Sequence, residues 1–510
     1  MPGPKARDGK NKCRDLAPGT AKTIIENLIF LQLLRELKEL NQGGSKGQSR
    51  HRPCSENPMT HLTSIRVSTD AQDTANRPGH ILILFEKTGG GHLRLAEIIA
   101  EMLGSADTRI SVVAGSDMLG DKTIDHIVNA WNRLIRSGLL RTADFTLNFF
   151  LRLFILPFLE VSARSQRFYD SLDAQAPDMI ICTADGYGRS LGLYCGARNI
   201  PLVMAVSEIS IFADLVCPRA IHLFCFQETA DLIRSYDLGT GYFASTTDGN
   251  APWRKRLGYL GRFFREFVLG YAGNPIYRDA GRQYPEKNHL PVHAIGPLAP
   301  RICHQAIDRD TFRRAHGMEP GVKTVLVASG SLGGKFVVDT VRALSKGFQG
   351  ALNVVAMCGR CERTYRKVSA LAGKSTPTRV YPFGYRDDFE AFIKAADCIV
   401  ARPSAGTFMD SLIAKTPFLS LGRATSNDSG TLHIIRKYHI GKVCRRGREL
   451  VPELADLLNN LEKYRGNITA YLDRYPDSFE AQARALRDLV AGTGEIGRGT
   501  VLENGASRKH

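Results

Sequence analysis

Ten short, largely apolar runs, set in two blocks along the chain, constrain its fold more than any other feature. A strand with one wet face alternates apolar and polar residues. A strand buried on both faces reads as a continuous apolar run, as in a parallel sheet covered by helices. His80-Ile-Leu-Ile-Leu-Phe85 is such a run, followed by a glycine loop and a helical pattern from Leu93 to Leu103. The same strand, loop and helix order recurs at Ile110–Ala114, Met179–Cys182, Leu202–Val206 and Leu223–Phe226. A second series begins at Thr324–Ala328 and continues through Asn353–Met357, Val380–Tyr381, Cys398–Ala401 and Phe418–Leu421. The expected class is therefore α/β, with two Rossmann-like, doubly wound domains. Pro297 and Pro300 mark a linker near Gly296–Arg301. The expected plan is a first domain over 79–298, a second over 299–450, helices over 451–495 and a polar tail over 496–510.

The chain has 510 residues, 43% of them hydrophobic and 23% charged. That excludes a wholly disordered or collagen-like chain and gives enough length for more than one core. The formal net charge of +17 points to an anionic partner: nucleic acid, an acidic membrane surface or a phosphorylated substrate. Eleven scattered cysteines suit a reducing compartment. The Cys358/Cys361 pair has neither a second pair nor a nearby His, so zinc is not expected. No apolar run has the length of a transmembrane helix, and no signal peptide is read at the basic N-terminus.

Residues 1–78 are rich in Gly, Ser, Pro and basic side chains and are expected to be largely disordered. Within them, Ile25, Leu28, Ile29 and Leu33 fall at helical spacing in a candidate amphipathic helix over 22–40. It would pack on the body or meet a membrane or partner. Two inserts interrupt the first domain, at 124–161 and 246–290. The first carries Phe149, Phe150, Arg152 and Phe154; the second carries Trp253, Phe263 and Phe264 among Arg and Lys. Arg beside aromatic rings suits docking on an anionic bilayer. The apolar faces equally suit core, and the second insert also suits a nucleic-acid surface.

Four segments carry candidate chemistry. Thr88-Gly89-Gly90-Gly91-His92 lets backbone amides approach a ligand at a helix N-terminus. It is neither a dinucleotide fingerprint nor a Walker loop. His92 at its exit is either a base for a hydroxyl nucleophile or a residue that caps or packs the turn. Ser329-Gly330-Ser331-Leu332-Gly333-Gly334 holds the equivalent place in the second block, as a phosphate loop or an ordinary turn. Arg402-Pro403-Ser404-Ala405-Gly406-Thr407-Phe408-Met409-Asp410 opens a helix after a strand, again a phosphate seat. Asp410 would accept bonds from ribose hydroxyls or complement the helix dipole. Asn427-Asp428-Ser429-Gly430-Thr431 suits sugar hydroxyls, or is an ordinary turn.

Taken together and in order, these segments resemble glycosyltransferase family 28, whose members include monogalactosyldiacylglycerol synthases and processive diacylglycerol glucosyltransferases. The resemblance rests on Ile83–Ala96 with its TGGGH, Pro177–Val206, MCGRCE at Met357–Glu362, VYPFGYRDDFEAFIKAAD at Val380–Asp397, and Arg402–Ile413. It covers about Ile81–Val443, with Thr246–Leu290 as an insertion. It implies a GT-B fold, with two lobes facing a cleft. It also implies a UDP-sugar co-substrate, with Gly384 and Tyr385 near the uracil. Ser404, Ala405, Gly406 and Thr407, helped by Ser331, would hold the diphosphate. Asp410 stands where the family has a ribose-binding Glu. Asn427 and Asp428 stand where it has the Gln-Glu pair that holds the sugar. His92 would be the base, in an acceptor loop shaped by Gly89, Gly90 and Gly91. The sequence departs from the family pattern by one methylene at 410, 427 and 428, by Ser for Gly at 404, and by Ser207-Glu208 where the family has Thr-Asp.

The activity so implied is metal-independent, inverting transfer of a hexose to a membrane lipid such as diacylglycerol. No cofactor, no metal ion and no nucleic-acid partner are expected. The expected location is cytoplasmic, at an anionic membrane surface and monotopic. A polyprenyl-linked or soluble acceptor, a UDP-sugar epimerase, and a nucleotide-sugar-binding scaffold without turnover remain as alternatives.

Overall fold

The computed structural model describes residues 78–87, 90–105, 108–120, 166–184, 186–210, 215–217, 219–234, 289–372, 377–421, 425 and 428–499, with isolated helical residues at 129, 132, 133 and 136. The segment 1–77 with its candidate helix, Gly89, Asn427 and the tail from 500 lie outside the described residues. So do Phe149, Phe150, Arg152, Phe154, Trp253, Phe263 and Phe264.

The first lobe holds β1 (His80–Phe85), α1 (Gly91–Leu103), β2 (Arg109–Ala114), α2 (Gly115–Leu119), α3 (Gln166–Gln175), β3 (Met179–Cys182), α4 (Gly188–Arg198), β4 (Leu202–Val206), β5 (Ile221–Phe224), α5 (Gln227–Arg234) and β6 (Val292–Ala294). Its sheet is parallel throughout, in the order β2-β1-β3-β4-β5-β6. In β1, Ile81, Leu82, Ile83 and Leu84 are each at most 1% exposed, so the apolar run is buried on both faces. Burial of each such side chain is worth about 1.5–3 kcal/mol.

The second lobe opens with α6 (Arg301–His304) and α7 (Arg309–Ala315). It continues with β7 (Thr324–Ala328), α8 (Lys335–Gly347), β8 (Leu352–Met357), α9 (Glu362–Ala372), β9 (Thr378–Phe383), α10 (Phe389–Ala395), β10 (Cys398–Ala401), α11 (Ala405–Ile413), β11 (Phe418–Leu421), α12 (Ser429–Tyr438) and β12 (Gly441–Cys444). Its order, β12-β11-β10-β7-β8-β9, is again all parallel. Read from β9, this is the 3-2-1-4-5-6 order of dinucleotide-binding folds. Three helices follow: α13 (Leu450–Asn459), α14 (Leu461–Leu472) and α15 (Phe479–Gly499).

The two lobes share one apolar cluster, which includes Ile99 and Phe226 of the first, Phe408 and Ile434 of the second, and Leu486 of α15. The class is thus two facing Rossmann-like lobes. Four strand readings differ from the structure; one is β9, which runs Thr378–Phe383 and not only Val380–Tyr381. β5 runs Ile221–Phe224, two residues earlier than expected, because Phe226 leaves the sheet and stacks on Phe408, with ring centroids 6.2 Å apart. β6 and β12 were not anticipated. Both are short outer strands, and their sequences VHA and GKVC carry no apolar run.

Candidate active site

In open α/β sheets, ligands bind beyond the carboxyl ends of the strands, where the strand order reverses. In the first lobe that point lies between β1 and β3, and in the second between β7 and β10. The loop ending in His92 follows β1, and Thr183 follows β3. The Ser331 loop follows β7, and the Ser404–Thr407 turn follows β10. The topology therefore places the candidate loops at the two switch points.

These loops face each other. Gly90 adopts φ +87°, a conformation that a side chain would strain, and a Cβ built on it would stand 3.8 Å from Ser331 Oγ. Gly91 has open space around it. His92 is buried, and its Nδ1 lies 2.5 Å from the carbonyl oxygen of Thr183. A carbonyl only accepts, so Nδ1 carries the proton and the lone pair of the neutral ring falls on Nε2. The Thr183 hydroxyl in turn lies 3.0 and 3.2 Å from the carbonyl oxygens of His92 and Leu84, which share its one proton. This pins the start of α1 to the end of β3.

On the other side, the Ser331 loop is braced by the Cys358–Cys361 turn. Arg360 N donates to the Ser331 carbonyl at 2.9 Å, and Gly334 N donates to Thr364 Oγ1 at 3.1 Å. Gly333 has φ +61°, and a Cβ there would come within 2.0 Å of the Cys358 carbonyl oxygen. The C-x-x-C segment thus acts as a buttress to the glycine loop. Among the described residues no group of three His, Cys, Asp or Glu side chains is placed to hold a metal ion. Gly384 ends in open space, and Tyr385 is 46% exposed with the Arg360 guanidinium 4.1 Å from its ring centroid. That aromatic face suits a base.

Ser404 is the N-cap of α11 but makes no side-chain cap, and the first turn, with Ala405, Gly406 and Thr407, contains no acid. The positive end of the helix dipole is left uncompensated, which favours an anion there. Asp428, at the N-cap of α12, lies 3.4 Å from Arg402 Nη2; burial raises its carboxyl above the ordinary range, and Arg402 opposes the shift.

Asp410 is fully buried in α11, within 2.9 Å of Arg94 Nη2 from α1. Glu390 of α10 lies 2.5 Å from the same nitrogen. Burial pushes the Asp410 carboxyl up to about 7, with Arg94 pulling it down and Glu390 adding to the rise. A second polar contact between the lobes lies at α12, where Gly430 N donates to Ser210 Oγ at 2.7 Å. Ser210 Oγ also lies 3.0 Å from Ser429 Oγ. The sequence reading singled out neither Arg94 nor Thr183, Ser210 and Glu390. Arg94 left one signal: a cation in the first turn of a helix, where the dipole disfavours it.

Residues 324–428 match the glycosyltransferase family 28 C-terminal domain. A rice protein (Oryza sativa subsp. japonica) named probable monogalactosyldiacylglycerol synthase 2, chloroplastic, is 24% identical over 215 residues, 40% of this chain and 43% of the relative. An Aquifex aeolicus UDP-N-acetylglucosamine–N-acetylmuramyl-(pentapeptide) pyrophosphoryl-undecaprenol N-acetylglucosamine transferase is 24% identical over 220 residues, 42% of this chain and 55% of the relative. The matches thus span about half or less of the length of these relatives. Among solved structures, Acinetobacter baumannii MurG superposes with a TM-score of 0.49 at 14% identity, covering 81% of this chain and 100% of that one. The likeness to glycosyltransferase family 28 is thus carried by residues 324–428, within the second lobe.

Proposed function

We propose that this chain is a UDP-sugar-dependent hexosyltransferase that acts on a membrane lipid, by a metal-independent inverting displacement. The carrying observation is the meeting of the two switch points, with Gly90 beside Ser331 and His92 at the head of α1. The second lobe takes the donor, with uracil against Tyr385 and the diphosphate over Ser404–Thr407 at the open end of α11. Asp410 takes the ribose hydroxyls, and Asp428, with Asn427, takes the sugar. His92 Nε2 accepts the proton of the acceptor hydroxyl. The hydroxyl oxygen bonds to C1 of the sugar as the C1–O bond to phosphate breaks, and the electron pair leaves with UDP. The α11 N-terminus and the backbone donors of the Ser331 loop stabilise that departing charge.

The lipid acceptor is supported by relatives whose names specify diacylglycerol or pyrophosphoryl-undecaprenol. No helix among the described residues is long and apolar enough to cross a membrane. The net charge of +17 and the Phe/Arg insert favour docking at an anionic surface. A nucleotide-sugar-binding scaffold is the second reading, favoured by the Arg94 contact that now occupies Asp410.

The test is UDP release and glycolipid formation from UDP-glucose, UDP-galactose or UDP-N-acetylglucosamine, with vesicles containing diacylglycerol. His92→Ala is expected to lower turnover about 10²–10⁴-fold while UDP still binds. Wild-type turnover in that variant would remove His92 as the base. UDP binding without product from any donor would leave the scaffold reading. In flotation with anionic vesicles, changing Phe149, Phe150 and Phe154 to Ser is expected to release the protein.

A further inference from the structure

Arg94 reaches from the first lobe to the place where the second lobe would hold its donor. Its Cδ lies 4.0 Å from the point where a Cβ on Gly406 would stand, so the stem crosses the first turn of α11. Its guanidinium ends between two carboxylates, Asp410 and Glu390. The Arg94 side chain is 27% exposed, while those of Asp410 and Glu390 are 1% and 11% exposed. The cation is thus the outer member of the cluster.

The cluster is incompletely satisfied. Neither Asp410 oxygen nor Arg94 Nε has a well-formed hydrogen bond, and the 2.9 Å contact of Arg94 Nη2 with Asp410 is an ion pair. A guanidinium with donors to spare and a carboxylate with acceptor sites to spare therefore flank an uncapped helix N-terminus. One chemical class satisfies all three. A nucleoside diphosphate brings phosphate oxygens for the guanidinium and the helix amides, and ribose hydroxyls for the carboxylate. The seat also needs positive charge. Arg402, the cation that precedes it in sequence, is already engaged by Asp428.

We propose that Arg94 is a donor-binding residue supplied by the acceptor lobe, which exchanges Asp410 for the diphosphate and so frees Asp410 for the ribose. This rests on the UDP-sugar reading above and deepens it. His92 and Arg94 lie two residues apart on α1. The same helix thus brings the base to the acceptor and the cation to the leaving group, and the donor seat is complete only with the lobes together.

The test is calorimetric binding of uridine, UMP and UDP to wild type, Arg94→Lys and Arg94→Ala, with thermal melts to verify folding. The informative quantity is the uridine-to-UDP ratio of Kd values within each variant, in which a general loosening of the site cancels. In Arg94→Ala this ratio is expected to fall at least about tenfold, the scale of a lost charge-assisted phosphate contact. Arg94→Lys should fall between, and uridine affinity should hold or improve. An unchanged ratio would reduce Arg94 to a latch between lobes, and tighter UDP binding in Arg94→Ala would make it a plug; either result overturns the proposal. Should Arg94→Ala not fold, Arg94→Lys and Arg94→Gln carry the same comparison. A wild type with no affinity for UDP removes the donor reading and this assignment together, whereas wild-type binding with an unchanged ratio removes this one alone.

Discussion

Asp410 shows how a single buried side chain ties the site to stability. Burial pushes its carboxyl up to about 7 in the folded protein, with Arg94 opposing the shift, against about 3.9 in an unfolded chain. Between those values the folded state keeps a proton that the unfolded state has lost. The free energy of unfolding therefore falls as pH rises from about 4 to about 7, by at most about 1.4 kcal/mol per pH unit, and is flat above. His222 acts in the opposite sense over the same range. It is fully buried, burial lowers its imidazole to about 4, and Cys217 N donates to its Nε2 at 3.0 Å. Its contribution is lost as pH falls through the window. The Asp410 component is therefore isolated by difference: urea unfolding of Asp410→Asn should gain stability relative to wild type as pH rises from 4 to 7. A difference independent of pH would show that the carboxylate is ionised throughout. The sequence made Asp410 visible as an acid soon after a strand-to-helix turn of small residues. It could not show Arg94 beside it, because that cluster is made by tertiary contact, with Glu390 lying 296 positions from Arg94.

At the scale of elements, the start of α12 makes a close contact between the lobes. A Cβ on Gly430 would fall 2.6 Å from Ile209 Cγ2 and 2.8 Å from Ser210 N. Gly430→Ala must push the segment after β4 away from α12 and weaken the bond from Gly430 N to Ser210. The expected cost is about 1–3 kcal/mol, as for other overpacking changes. Ser210→Ala leaves the packing intact but removes the acceptor of Gly430 N and the partner of Ser429 Oγ, at the low end of about 1–3 kcal/mol. Thermal denaturation should rank Gly430→Ala below Ser210→Ala; the reverse order would mean that the hydroxyl, not the close approach, holds the lobes here. The elements themselves were largely legible. β1 and β7 are apolar runs because both faces are covered, and their shortness and the glycine loops after them separate them from buried helix. β12 was not, because three of its four residues are only partly buried. Phe226 was misread as strand because an aromatic serving the shared core looks, in sequence, like an aromatic serving the sheet.

At the scale of the whole molecule, the chain leaves the first lobe once and then returns to it. After the second sheet, α13 and α14 lead into α15, whose Leu486 and Val490 join the core that contains Ile98 and Ile99 of α1. Arg487 Nη1 donates to the Met102 carbonyl at 2.7 Å, near the end of α1. Gln482 Nε2 lies 3.0 Å from the Pro297 carbonyl and 3.4 Å from that of Ile295. Glu228 of α5 accepts from Tyr438, Tyr471 and Arg474, at 2.5, 3.2 and 3.2 Å. The two-lobe plan was readable from the two blocks of strands, but nothing in a helical pattern says which lobe it covers. The return path makes the far end of the chain a support for α1, the helix that begins with His92 and carries Arg94. Gln482→Leu keeps the bulk of that side chain and leaves two buried carbonyls without their donor, at a cost of about 1–3 kcal/mol. Most of the nucleotide seat lies in the second lobe, with Arg94 of α1 reaching into it, so UDP affinity should fall by less than the roughly tenfold effect expected of Arg94→Ala. Turnover should drop further than affinity, because the loosened α1 misplaces the base, and misplacement by about 1 Å is enough to slow a reaction about a hundredfold. Urea unfolding, UDP calorimetry and the glycolipid assay on this one variant separate the outcomes. If affinity and turnover fell by the same factor, α15 would act through Arg94 and the donor seat and not through the base. If neither changed while stability dropped, the return helix would hold the fold together without setting the geometry of the reaction.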